Sequence, residues 1–207
     1  MSKAVFISIR PKWCEKIING DKTIEVRKTR PKLKTPFRCY IYCTRDKHLA
    51  FMQNQTGTNL IACMDVDAAI PVGGAIGNGK VIGEFTCDRI YEIRKRGIPE
   101  NFDYCYLSLS GWGNDDIEVE IKAISASCVS KEELNTYGTK APFLYGWHIT
   151  DLRIYDTPRD LGEFSPPLEN CIGKVCDEFG RASCENGGHI KRPPQSWCYV
   201  EGLKLNA

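Results

Sequence analysis

The chain has no apolar run approaching the roughly 20 residues of a membrane-spanning helix, so no transmembrane helix and no membrane partner are expected. Its opening stretch, MSKAVFISIRPKW, lacks the apolar centre of a secretory signal, and a cytoplasmic protein is expected. It also lacks the alternation of strands with longer helical patterns that a parallel, doubly wound sheet needs. No internal repeat and no low-complexity tract is present. Net charge is small, +2, and the apolar and charged fractions, 42% and 26%, are ordinary for a globular protein. A length of 207 residues suffices to bury one sizeable core with an appendage.

Cysteine, by contrast, is plentiful. With 11 cysteines and no secretion signal, reduced thiols or a metal site are expected rather than disulfides, and the odd count argues against full pairing. Charge is unevenly spread as well. Residues 1–48 carry 13 Lys/Arg and 4 Asp/Glu, a balance of +9, and the remainder balances at −7. A basic N-terminal third points to a polyanionic partner such as nucleic acid or a phosphorylated ligand, beside the plainer reading of a solubilising surface.

The element pattern is short strands with few short helices. Residues 3–10 (KAVFISIR) read as a strand. Pro11 suits the first helical position and Gly20 the residue just past a helix end, and Trp13, Cys14, Ile17 and Ile18 form an apolar stripe, so a helix is expected over 11–19. Strands are expected over 22–28, 37–43, 80–91 (bent at Gly83), 117–124 and 146–155. A short helix opens with the capping box of Ser130 and Glu133. Residues 44–79 read as a long excursion and 94–116 as an irregular insertion. This pattern predicts an α+β, mainly β fold built as a small β-barrel with short helices.

The densest chemistry lies in GDKTIEVR (20–27), which follows the amphipathic PKWCEKIIN. Strand alternation puts Ile24 and Val26 on one face and Thr23, Glu25 and Arg27 on the other. Glu25 and Arg27 then sit about 6–7 Å apart along the strand. Arg27 suits a phosphate or base carbonyl, Glu25 an exocyclic amine, and Lys22 a phosphate or, if desolvated, the role of a base. Trp13, with Lys12 beside it, and Tyr40 and Trp147 are candidate stacking or binding groups, and His148 could line a pocket or be a buried, hydrogen-bonded core residue. The alternative for the motif is structural: Glu25 and Arg27 pair with each other or with neighbours and brace the fold. A concave pocket on which Lys22, Glu25 and Arg27 converge would favour ligand binding or hydrolysis there; burial of all three in mutual salt bridges would favour a protein-interaction module whose motif is structural.

ISIRPKWCEKIINGDKTIEVRK resembles the signature of ASCH domains, G-x-K-x-x-E-x-R, here Gly20, Lys22, Glu25 and Arg27. GEFTCDRIY (83–91) and YGWHITDLRIYDTPRDLGEF (145–164) resemble ASCH segments of phage and prophage proteins, and RPPQSWCYVEG (192–202) resembles a tail such proteins carry. The resemblance covers most of residues 4–164. It implies a PUA-like β-barrel domain over 1–164, with insertions at about 44–79 and 94–128, and a Cys/Pro/Gly-rich extension over 165–207 packing on it. It also implies binding of RNA or of a nucleotide-like ligand in a cleft around the motif. One ASCH branch hydrolyses N4-acetylcytidine with a Lys, a Thr and a distal Glu. Lys22 matches the Lys, Glu25 stands where the Thr nucleophile belongs, and Glu132 or Glu133 is a loose counterpart of the Glu. Lys22 and Glu25 are therefore the catalytic candidates if the chain is a hydrolase. A protein-interaction module with a structural motif is the remaining alternative.

Two further patterns are weaker. Gly74–Val81 (GAIGNGKV) approaches a phosphate-binding loop, but Val81 replaces the Ser/Thr and a strand follows where a helix must begin, so a turn is expected. Cys171, Cys176, Cys184, His189 and Cys198 cluster near the C-terminus without any C-x-x-C pair, and neither a metal nor another cofactor is assigned.

Overall fold

The computed structural model describes residues 2–53, 60–63, 75–96, 103–108, 125–167 and 189–203. The strands are β1 (Lys3–Ile9), β2 (Ile24–Arg27), β3 (Phe37–Cys43), β4 (Ala50–Gln53), β5 (Leu60–Cys63), β6 (Ala75–Ile76), β7 (Lys80–Cys87), β8 (Ile90–Arg96), β9 (Asp103–Ser108), β10 (Phe143–His148), β11 (Thr150–Arg159) and β12 (Trp197–Glu201). The helices are α1 (Pro11–Ile18) and α2 (Lys131–Gly138), with a 3₁₀ turn at Leu161–Glu163. The fold is therefore α+β and mainly β, as its residue pattern indicates. The strands form three sheets, ordered β11-β7-β3-β1-β12, β2-β10-β8-β9 and β5-β4-β6, and none closes into a ring among the described residues. No helix among them is long and apolar enough to cross a membrane.

The chain forms two compact units. The first comprises Met1–Glu15, Arg38–Phe85 and Leu152–Ala207; the second comprises Lys16–Phe37 and Thr86–Asp151. In the first unit β1 lies between β3, which it pairs in parallel, and β12, which it pairs antiparallel. Paired along both edges, β1 is also buried on both faces, and it reads as the near-continuous apolar run AVFISI. One face of this sheet carries Phe6, Tyr40, Tyr42, Tyr155 and Val200 against Phe164. Gly83 stands where β7 approaches β11: a Cβ there would lie 2.5 Å from the Arg153 carbonyl oxygen, so only glycine fits. The near-phosphate-loop segment is a turn followed by a strand. Lys80 N donates to Gly77 O at 3.0 Å, and β7 starts at Lys80.

In the second unit β10 is flanked antiparallel by β2 and β8, and β8 by β9. Ile24, Val26, Ile93 and Leu144 form one buried face, closed by Leu134 of α2. The capping box of α2 is present: Ser130 Oγ accepts from Glu133 N at 3.1 Å, and Glu133 Oε2 accepts from Ser130 N at 3.0 Å.

Several element boundaries differ from the pattern-based expectation. The single strand expected over 80–91 is two, β7 and β8, and the strand expected over 146–155 is also two, β10 and β11. The chain breaks at Ile149, whose amide goes to Thr23 O, and Asp151 takes φ +48. β9 forms inside the segment expected to be irregular. The strand expected over 117–124 lies outside the described residues, as do Cys171, Cys176 and Cys184.

Candidate functional site

The motif is built at the exit of α1. Gly20 takes φ +80, a conformation that suits glycine alone, and its amide donates to Ile17 O at 3.1 Å. The chain then reverses, and Lys22 N donates to Lys16 O at 2.9 Å. That bond keeps residues 22 and 23 out of the strand, so β2 covers only Ile24–Arg27 instead of 22–28. Strand parity would have put Lys22 on the face of Ile24 and Val26. Off the strand, its side chain turns toward Glu25 instead.

Lys22, Glu25 and Arg27 are 1%, 5% and 7% exposed. Lys22 Nζ donates to Ile24 O at 2.7 Å and to Ser127 O at 2.6 Å, and lies 3.3 Å from Glu25 Oε2. Arg27 Nη2 lies 3.0 Å from Glu25 Oε1. One carboxylate thus bridges two buried cations. Burial pulls the Lys22 pKa below the ordinary lysine value, and the Glu25 charge opposes the fall. Each of these partners of Nζ is an acceptor, so the geometry is that of an ammonium ion. Cys128, which takes φ +53, closes the same corner: its thiol donates to Asp21 O at 3.2 Å.

The other candidates have partners of their own. Trp147 stands opposite Glu25 in the β10–β2 register, but it is 0% exposed, and Phe37 meets its ring edge-on at 5.9 Å. It fills core and offers no stacking face. His148 pairs with Ile24, which puts it on the opposite sheet face from Glu25; its Nδ1 lies 2.7 Å from Asp88 Oδ1. Tyr40, Lys12 and Trp13 belong to the first unit. Tyr40 is fully buried against Phe164, and its hydroxyl accepts from Leu203 N at 2.7 Å, so it is not a stacking platform. Lys12 Nζ sits 4.4 Å over the Trp13 ring, so these two residues engage each other.

Two features of this unit were not singled out from the sequence. Ser127, whose carbonyl holds Lys22, is 105 positions away in the chain and carries no local signal. The loop after Arg27 is the other. Lys28, Arg30, Lys32 and Lys34 are all exposed, and residues 28–36 contain no acidic side chain. Lys28 Nζ lies 4.8 Å over the ring of Tyr137 from α2. The clustering of these four cations was visible in the sequence within the broader basic third.

Its structural neighbours are ASCH proteins. The crystal structure of ASCH from Zymomonas mobilis is 15% identical, with 96% of this chain and 87% of that one covered and a TM-score of 0.48. Two point mutants of the same protein give 16% and 15% identity, coverage of 97% and 96% of this chain and 91% and 88% of theirs, and TM-scores of 0.49 and 0.48. No family model matches the chain, and no curated protein matches it. In this chain Gly20 ends the turn after α1, Lys22 and Arg27 flank Glu25, and all three charges are buried together.

Proposed function

We propose that the protein is an RNA-binding protein of the ASCH kind, and that it contacts the RNA backbone through the exposed basic loop of residues 28–34. The observation that carries this reading is that Lys28, Arg30, Lys32 and Lys34 project to solvent, with no acidic residue among them, directly after the buried Arg27. The Lys22–Glu25–Arg27 network then acts as the brace that anchors the root of the loop, and the exposed cations that follow it meet the phosphates. This moves the contact from the cleft around the motif to the loop that the motif supports. Cys43, Cys87, Cys128 and Cys198 are thiols rather than disulfides, which suits a reducing, cytoplasmic setting.

Hydrolysis in the motif is the second reading, and the lowered pKa of Lys22 favours it, because a lysine nearer neutrality makes a better base. Against it, the Lys22 ammonium faces two carbonyls and a carboxylate, which lose a donor if it gives up its proton, and Glu25 replaces the hydroxyl nucleophile. Burial of the trio in mutual ion pairs favours a protein-interaction module with a structural motif, and salt dependence separates that reading from the RNA reading.

The test is fluorescence anisotropy with a labelled single-stranded RNA over a range of salt concentrations. Each phosphate contact contributes about −0.7 to the slope of log K against log salt. Changing all four loop cations to Glu is expected to abolish tight binding, and changing them to Gln to flatten the slope by about 3. An unchanged slope in the Gln variant would refute the assignment to the loop, and no RNA binding by the native chain would refute the function.

A further inference from the structure

The first unit contains a cleft of about 680 Å³ that neither the motif nor the basic loop explains. Its volume is that of a small-molecule site. It opens where β1 and β3 end, and it is walled by the turn at Gly79, the 3₁₀ turn after Asp160 and the tail around Pro193–Gln195. The tail is fixed in place: Ser8 Oγ donates to Pro194 O at 2.7 Å, and Ser8 N donates to Ser196 O at 2.9 Å.

The charges in this cleft are unbalanced. Arg45 and Lys191 line it, both exposed, and neither forms an ion pair among the described residues. The carboxylate of the lining, Asp160, is already engaged by Lys80. Gly79 explains how Arg45 is placed. It takes φ +78, its amide donates to Cys43 O at 2.7 Å, and a Cβ there would lie 3.0 Å from Arg45 Nε. The arginine therefore lies across a turn that has no side chain. The GNGK segment, which fails as a phosphate loop, seats one cation of the cleft and uses its lysine to occupy the acid. Thr44 and Gln195 add neutral polar groups, and Leu161 and Ile190 with the two prolines add apolar wall.

We propose that this cleft binds a nucleoside monophosphate, with Arg45 and Lys191 holding the phosphate and the apolar wall covering the nucleoside. The site is independent of the RNA contact. Two uncompensated cations select a dianion, and the volume greatly exceeds what inorganic phosphate fills.

The experiment is isothermal titration calorimetry of the full chain with the four ribonucleoside monophosphates, with inorganic phosphate and with uncharged cytidine as separate probes. At least one monophosphate is expected to bind more tightly than inorganic phosphate, and cytidine is expected not to bind. Arg45→Glu and Lys191→Glu, both at exposed positions, are each expected to weaken binding by about tenfold or more, the equivalent of one charge-assisted contact. Circular dichroism checks that both variants fold. Absence of heat with every monophosphate would overturn the proposal. Undiminished binding in the two variants would do the same, as would loss of nucleotide binding in the variant with Lys28, Arg30, Lys32 and Lys34 all changed to Glu. That last result would place the phosphate on the loop, whereas failure of RNA binding alone leaves the cleft result standing.

Discussion

Glu25→Gln is the sharpest perturbation available in this molecule. The carboxylate lies 3.3 Å from Lys22 Nζ and 3.0 Å from Arg27 Nη2, and the two cations are 1% and 7% exposed. The amide keeps the shape and removes the charge between two buried positive groups. Breaking a buried ion pair on one side costs about 3–5 kcal/mol, because the desolvated partner keeps its charge. That is a large share of the roughly 5–15 kcal/mol by which domains are stable. At about 2–4 °C per kcal/mol for a chain of this size, the melting temperature should fall by roughly 6–20 °C. Urea unfolding followed by tryptophan fluorescence measures the change, with the midpoint lowered and the denaturant slope unchanged. Lys22→Met in the same background tests the cause. If the loss is electrostatic, the double variant loses less than the sum of the singles, with a coupling of about 0.5–3 kcal/mol. A Glu25→Gln protein within about 0.5 kcal/mol of the native one would refute the brace. If that variant also lost RNA affinity, the trio would be a ligand site.

Two other outcomes follow from the packing. Gly83→Ala should destabilise the first unit by roughly 1–3 kcal/mol, since the new methyl meets the main chain of Arg153 and Ile154, which cannot swing aside; an unchanged unfolding midpoint would contradict this. Cys87 is fully buried, its thiol donates to Arg89 O at 3.4 Å, and burial pushes its pKa from 9.0 up to about 12. Above pH 9 the unfolded chain therefore holds fewer protons than the folded one, and the Cys87 contribution falls as pH rises. The stability gap between the native protein and Cys87→Ala should narrow by about 1 kcal/mol from pH 9 to pH 10, as measured by urea unfolding, and a constant gap would exclude the thiol as the cause.

How much of this was legible in the sequence depended on range. The helix from Pro11 to the turn at Gly20, the capping box of Ser130 and Glu133, and the opposite faces of Ile24/Val26 and Glu25/Arg27 are all set by residues within about four positions of one another. Each of these appears in the structure much as the residue pattern indicates. The mainly β class follows in the same way from short alternating runs. Trp147 and Tyr40, by contrast, look like stacking platforms in a list of aromatics, and they are core because Phe37 and Phe164 cover them.

The sequence by itself determined that a lysine, a glutamate and an arginine would follow the end of a short helix, with the glutamate and arginine on one strand face and further cations after them. Only the tertiary structure decided that the three close on one another. The amide of Lys22 is claimed by Lys16, its ammonium by a carbonyl 105 residues away, and Glu25 is the nearest charge that can balance it. Burial is a property of what distant chain lays over a side chain, and a buried charge takes whatever partner that chain brings within reach.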